Sequence, residues 1–293
     1  MQVDNIHIGD NLYLKPEFRN NSGISGNKFR KLKYNLEAVR LLKADTILTF
    51  GGAFSNHILA VAMAGHENGL QTIGVIRGEE LEGKIHVNST LRRAKELGMT
   101  FKFVNRNDYR YKDSEAFLDT LNKEFGEFYH LPEGGTNTLA VKGCEEILSE
   151  GDLKFDIICC PVGTGGTLAG IINSSSHEQT VLGFPALKGD FLKKDIANFA
   201  KKDNWNLITA YHFGGYAKIN SELIGFINRF KAEYGIPLDP VYNGKMMFGI
   251  FDMLKTGKLP EEARILAIHT GGLQGIEGMN MKLKHRNLPL IDI

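Results

Sequence analysis

The chain is short of cysteine, of net charge and of long apolar runs, and each shortage removes a class of protein. Three cysteines, Cys144, Cys159 and Cys160, stand among 293 residues. None has CxxC or metal-ligand spacing, so neither a disulfide framework nor a structural zinc site is expected. Cys159 and Cys160 fall in the apolar run Ile157-Ile158-Cys159-Cys160-Pro161-Val162 and read as small buried hydrophobes; a reducing, cytoplasmic compartment is the expectation. With 35 basic against 34 acidic side chains, the formal net charge is +1, which is no electrostatic footprint for nucleic acid. No apolar run approaches the roughly 20 residues of a membrane span. The opening Met1-Gln2-Val3-Asp4-Asn5 lacks the basic and apolar regions of a signal peptide. Solenoid-period repeats, low-complexity tracts and a Pro/Gly-rich linker are missing as well.

What is present is the composition of a globular protein, 42% hydrophobic and 24% charged, long enough to bury a large core in two lobes. Short β-rich runs at Thr46-Phe50, Thr72-Ile76, Thr100-Val104, Phe155-Cys160, Thr180-Phe184 and Arg264-His269 alternate with helical patterns. Those patterns fall at about 55–69, 85–97, 113–125, 137–150, 166–176, 190–201, 217–234 and 244–256. The alternation predicts an α/β protein of βαβ units, with parallel sheets covered by helices on both faces. The cluster Pro132-Glu133-Gly134-Gly135-Thr136 is the best break. It suggests a smaller domain at 35–136 and a larger, cofactor-binding one made of 1–34 and 137–293.

Near the N-terminus, Gly26-Asn27-Lys28-Phe29-Arg30-Lys31-Leu32 opens a helical pattern in which Phe29, Leu32, Leu36 and Val39 recur at three- and four-residue steps. Lys28 at this turn-to-helix junction could serve as a Schiff-base amine. Taken alone, the window reads first as the solvated basic face of a helix, formed by Lys28, Arg30, Lys31 and Lys33, the usual fate of a charge run.

Gly-rich turns follow the strands, where ligands bind in open α/β sheets. Gly51-Gly52-Ala53-Phe54-Ser55-Asn56-His57 offers a helix N-terminus suited to a carboxylate, with the Ser55 hydroxyl alongside; Ser55 as a plain N-cap is the alternative. Gly163-Thr164-Gly165-Gly166-Thr167 can wrap a phosphate with successive amides. Leu168 stands where a dinucleotide fingerprint wants a third glycine, and a P-loop's Gly-Lys-Ser/Thr is absent, so a lone phosphate monoester fits best. His269-Thr270-Gly271-Gly272 would line the same edge. His212-Phe213-Gly214-Gly215-Tyr216 and Asp239-Pro240-Val241-Tyr242-Asn243 add two tyrosine hydroxyls.

In this order, Lys28, GGxxSNH, GTGGT, DPVY and HTGG resemble the 1-aminocyclopropane-1-carboxylate deaminase and D-cysteine desulfhydrase family, over about residues 25–275. These are pyridoxal-phosphate enzymes with the tryptophan-synthase β-subunit fold. The resemblance implies that Lys28 carries the cofactor and removes the Cα proton, and that Asn56 bonds the cofactor's phenolic oxygen. It also implies that Ser55, with Asn56 and His57, meets the substrate carboxylate, that Gly163, Thr164, Gly165, Gly166 and Thr167 hold the phosphate, and that Tyr242 and Tyr216 face the substrate. Thr270 and Asn243 fall at the cofactor's ring. A small amino-acid substrate and a homodimer are the expected partners. Two departures stand out: Asn243 replaces the glutamate of DPVYEGK that meets the pyridine nitrogen, and Phe54 replaces a frequent glutamine. An amide stabilises a protonated ring less well than a carboxylate, which favours β-elimination of D-cysteine or a related amino acid over cyclopropane opening. The alternatives are the cyclopropane deaminase and an inert anion-binding homologue.

Overall fold

A computed structural model describes residues 4–20, 23–24, 26–189 and 191–292; the opening Met1 to Val3 and the first residue of the helix expected at 190 lie outside them. The elements, in chain order, are β1 (Ile6–Gly9), β2 (Leu12–Lys15), α1 (Asn27–Leu41), β3 (Thr46–Gly51), α2 (Asn56–Asn68), β4 (Gln71–Arg77), α3 (Ser89–Glu96), β5 (Thr100–Val104), α4 (Glu115–Phe125) and β6 (Tyr129–Leu131). There follow α5 (Thr138–Cys144), β7 (Ile157–Val162), α6 (Gly166–Ser174), β8 (Thr180–Pro185), α7 (Phe191–Ala197), β9 (Trp205–Leu207), α8 (Ser221–Tyr234), α9 (Asn243–Lys255), β10 (Ile265–Ile268) and α10 (Gly275–Lys284).

The strands form two sheets, ordered β1-β2-β10-β7-β8-β9 and β5-β4-β3-β6. All pairs are parallel except the edge hairpin of β1 on β2. Both faces of each sheet are covered, which the sequence writes as unbroken apolar strands. In β10, Ile265 and Ala267 enter one core while Leu266 and Ile268 enter the opposite one. In β3, Ile47 faces one core, and Leu48 and Phe50 the other. The fold is the α/β architecture of two parallel-type sheets that the alternation predicts.

The small sheet uses residues from 46 to 131, and the large one uses 6–15 with 157–268. Helix α1 runs through the expected 34/35 boundary and packs on both α2 and α5, so it joins the two layers. Helix α3 begins at Ser89, later than the expected 85, because the Asn88 side chain accepts the Leu91 N–H and caps it there. Four short strands, β1, β2, β6 and β9, and the helix α10 are additions to the expected set.

Candidate active site

The carboxyl ends of β3, β7 and β10 and the start of α1 converge on one cavity of about 190 Å³. Lys28, Ser55, Asn56, His57, Gly163, Thr164, Gly165, Thr167, Tyr216, Tyr242 and Thr270 all line it. Gly166 adjoins it, opening the first turn of α6. Neither Gly166 nor Asn243 is part of the wall itself, and Asn243 is the one buried behind it.

Helix α1 is docked by its first residues. Gly26 holds φ 71° and ψ −155°, a region open essentially to glycine, and a Cβ there would run into the Thr270 carbonyl. That carbonyl accepts the Asn27 N–H at 3.1 Å. The Asn27 amide reaches Thr167 Oγ1 at 2.8 Å, while Lys28 Nζ donates to Asn27 Oδ1 at 3.3 Å. Burial, with the charge of Lys31 second, lowers Lys28 from 10.5 to about 7. At neutral pH a large fraction of this amine is therefore uncharged and nucleophilic.

The basic run of α1 is not a solvated face. Arg30 is buried in a two-point pair with Glu17, at 2.9 and 3.1 Å. Lys33 meets Glu146 at 2.6 Å. Lys31 is 2% exposed, and Nζ donates to Gly134 O and Thr136 Oγ1, both at 2.9 Å, and to Thr164 Oγ1 at 3.5 Å. No carboxylate faces it among the described residues, and burial lowers its pKa. The sequence places Lys31 on the solvated basic face; its i, i+3 spacing from Lys28, which puts both on one side of the helix, is the signal that it belongs with the site instead.

Lys31 stands beside the turn into α6. Gly165 is left-handed at φ 85°, and no side chain caps the helix, so its first amides are unclaimed. A side chain at Gly166 would begin 3.3 Å from Lys31 Nζ. Free amides, the helix dipole and a buried uncompensated cation meet at one point, which is what a phosphate dianion requires. These residues fit pyridoxal phosphate: a phosphate cradle lies in the same cavity as a lysine that is partly uncharged at neutral pH.

On the opposite wall Ser55 caps α2, its Oγ accepting the His57 and Ile58 amides at 3.2 and 3.4 Å. Its capping and lining roles coexist. Asn56 accepts from Gln274 Nε2 at 2.7 Å through Oδ1, which leaves its amide hydrogens as donors. Gln274 lies in the HTGG segment and went unassigned in the sequence; it sets which way Asn56 points. His57 is 2% exposed. Thr49 Oγ1 donates to Leu131 O at 2.8 Å and accepts from His57 Nε2 at 2.8 Å. Burial and the two lysines hold His57 far below its ordinary pKa, so it is neutral, and its Nδ1 lone pair has no protein partner.

Tyr216 and Tyr242 stack edge-on with ring centres 6.2 Å apart, and burial raises both hydroxyls, which stay protonated. The loop carrying Tyr216 is held by buried Lys245, whose Nζ donates to His212 O and Gly215 O at 2.8 Å. Asn243 is 0% exposed. Its amide donates to Asp239 Oδ2 at 2.5 Å and Gly271 O at 2.8 Å, and its Oδ1 accepts the Thr270 N–H at 3.0 Å. Both amide hydrogens are thus committed within the protein, and the Thr270 hydroxyl is the polar group presented on the wall at that end.

An open parallel α/β pair of sheets, with a buried amine and a phosphate cradle at the strand ends, defines a pyridoxal-phosphate enzyme of the tryptophan-synthase β type. The family model for the pyridoxal-phosphate dependent enzymes matches residues 2–271, and the chain belongs to that family. Within it the chain belongs with the 1-aminocyclopropane-1-carboxylate deaminases and D-cysteine desulfhydrases. It is 31% identical to the mitochondrial bifunctional D-cysteine desulfhydrase/1-aminocyclopropane-1-carboxylate deaminase of Arabidopsis thaliana, over 92% of this chain and 74% of that one. It is 29% identical to the 1-aminocyclopropane-1-carboxylate deaminase of Rhizobium rhizogenes, over 93% and 90%. The crystal structure of an ACC deaminase homologue superposes with a TM-score of 0.81 at 30% identity, covering 94% of this chain and 88% of that one. The protein is a pyridoxal-phosphate-dependent lyase or deaminase. Among the described residues no helix is long and apolar enough to cross a membrane.

Proposed function

We propose that the chain acts by β-elimination on D-cysteine or a related β-substituted amino acid, expelling the β-substituent (hydrogen sulfide from D-cysteine) and, with water, releasing pyruvate and ammonia. The observation that carries this reading is Asn243. Both its amide hydrogens go to Asp239 and Gly271, and no carboxylate takes its place on the cavity wall. Among the described residues no carboxylate lines this cavity as a direct partner for a protonated ring nitrogen, and Asp239 is bonded to the Asn243 amide instead. Such an arrangement suits a substrate whose departing β-substituent carries away the electron pair, and suits cyclopropane opening less.

When bound, pyridoxal phosphate supplies the electron sink that makes the substrate's Cα–H acidic. Lys31, the amides of Gly165 to Thr167 and the Thr164 hydroxyl would hold its phosphate, Lys28 would carry it covalently, and Asn56 would donate to its phenolic oxygen. Ser55 Oγ and the N-terminal amides of α2 would fix the substrate carboxylate. Released from its covalent role, the Lys28 amine, at about 7, is matched to taking the Cα proton near neutral pH. The protonated Tyr242 and Tyr216 hydroxyls would donate to the departing group, and their rings would exclude water.

Two measurements test this. Borohydride should bleach the yellow protein and leave its adduct on Lys28, and Lys28→Ala should abolish turnover; an active Lys28→Ala protein removes the assignment. Supplied separately with D-cysteine and with 1-aminocyclopropane-1-carboxylate, the enzyme should yield pyruvate with the higher kcat/KM. The names of its relatives support the cyclopropane deaminase as a second reading, and 2-oxobutanoate formed at equal or greater kcat/KM would establish it instead. An inert homologue would take up no pyridoxal phosphate.

A further inference from the structure

A second cavity, about 630 Å³, shares Asn56, Tyr216, Tyr242 and Gly272 with the first and extends it outward. Its charged lining is one-sided once the internal pairs are removed. Arg106 is taken by Glu80 at 2.6 Å. Asp239 is spent on the N–H groups of Val241, Tyr242 and Asn243 and on the Asn243 amide. Glu133, just outside the lining, is held by Lys112 at 3.6 Å. Three cations on the exposed rim of the cavity then have no carboxylate partner among the described residues: Arg77, Arg110 and Lys282.

Their placement is specific. Arg77 ends β4, its guanidinium lies 5.6 Å from the centre of the Tyr109 ring, and Nη2 is 3.9 Å from where a side chain on Gly52 would begin. Lys282 Nζ sits 4.1 Å from the ring centre of Phe54, the residue of the substrate loop that replaces a polar one. Burial and then the charges of Arg286 and Lys218 lower Lys282, with no acid acting against them. Two of the three cations rest on aromatic faces, which hold them without neutralising them. An exposed unpaired cation is ordinary taken singly; what is particular here is that three stand around one cavity sharing walls with the amino-acid site. They exceed what a single α-carboxylate, already provided for at Ser55, can use.

We propose that this cavity receives a second, distal anionic group of the substrate, so that the enzyme prefers amino acids bearing a carboxylate, sulfonate or phosphate beyond Cβ. This rests on the reading of the first cavity as the amino-acid site. Arg77, nearest the substrate loop, makes the main contact, with Arg110 and Lys282 placed around it.

The test is calorimetric titration of the cofactor-loaded protein with both enantiomers of O-phosphoserine and of serine, on a Lys28→Ala background that stops β-elimination of either ligand, comparing the otherwise wild-type chain, Arg77→Gln and the triple Arg77→Gln/Arg110→Gln/Lys282→Gln variant. One phosphoserine enantiomer should bind the otherwise wild-type chain at least tenfold more tightly than the matching serine. The ratio should fall at least fivefold in Arg77→Gln, approach one in the triple variant, and shrink as salt is raised. A ratio near one in the otherwise wild-type chain, or a ratio that the variants leave unchanged, overturns the proposal. Equal weakening of serine and phosphoserine also overturns it, since that would assign Arg77 to the α-carboxylate. Failure of the first-cavity reading is seen separately, as a protein that takes up no pyridoxal phosphate.

Discussion

Replacing Lys31 by methionine removes a charge that acts in two places. Lys28 and Lys31 are three residues apart on α1, a spacing of about 5–6 Å between side-chain origins. Two unit charges about 6 Å apart at an effective dielectric near 20 repel by about 3 kcal/mol. Lys31 is itself lowered by burial and shares its charge with Gly134 O and Thr136, so about half of that is a reasonable net effect, or about one pKa unit. Lys28 in Lys31→Met should therefore titrate about one unit above its value of about 7. Acylation of Lys28 in the cofactor-free protein by a limiting amine reagent, followed against pH and mapped by mass spectrometry, reads this midpoint directly. The same substitution removes a charge-assisted contact to the phosphate, worth about 1.5–3 kcal/mol, and should weaken pyridoxal-phosphate binding by roughly ten- to a hundredfold. An unchanged Lys28 midpoint would refute the electrostatic coupling, and undiminished cofactor affinity would refute the phosphate role.

A pH effect on stability follows from Lys28 alone. Its folded value of about 7 lies below its ordinary 10.5, so between these values the unfolded chain binds more protons, and the cofactor-free protein should gain stability as pH rises through that window, by at most about 5 kcal/mol. Thermal melts across pH 7–10 should show the rise in the wild type and a flatter profile in Lys28→Met. Asn243→Glu would set a second carboxylate against Asp239, 2.5 Å from the present amide; denaturant unfolding should show a loss of about 2–4 kcal/mol, recovered in part by adding Asp239→Asn. Gly26→Ala should cost about 1–3 kcal/mol for its φ of 71° and its contact with the Thr270 carbonyl; its cofactor-binding deficit, measured on the folded fraction, should be larger than the stability loss explains.

The sheets were legible because their strands are covered on both faces: runs such as Thr46–Phe50 and Ile157–Val162 admit no polar face, and each is closed by glycines. The additional strands are short edge or hairpin pieces of three or four residues, where alternation has no room to register. The β1–β2 turn does announce itself through Gly9-Asp10-Asn11, with Asp10 at φ 44°. Helix α10, Gly-Ile-Glu-Gly-Met-Asn-Met-Lys-Leu-Lys, hides behind two glycines, one of which packs at Gly278 against the Phe54 ring. The glycine turns pointed to the cavity because strand ends and helix starts recur there. Burial of a charged side chain has no such signature: Lys31 and Lys33 are both lysines of one helix in the sequence, and only the approach of Gly134, Thr136 and Thr164 from distant segments separates them.

That separation extends to the whole inventory of cations. Lys15, Arg30, Lys33, Lys102 and Arg106 each meet a carboxylate within 3 Å. Lys15 and Arg30 are buried, and burying a charge is costly unless it is paired. Lys28 and Lys31 in the first cavity, and Lys245 under the Tyr216 loop, lack a carboxylate among the described residues; Arg77, Arg110 and Lys282 are unpaired around the second cavity but exposed, and bear no such cost. A buried unpaired ammonium persists if backbone carbonyls satisfy it, as those of His212 and Gly215 do for Lys245, if it is neutralised, or if an anion arrives. Lys28 is partly neutralised, as a covalent attachment point must be, while Lys31 is left for an anion. On the two proposals made above, Lys31 would meet the cofactor's phosphate and Arg77 the distal anionic group of the substrate.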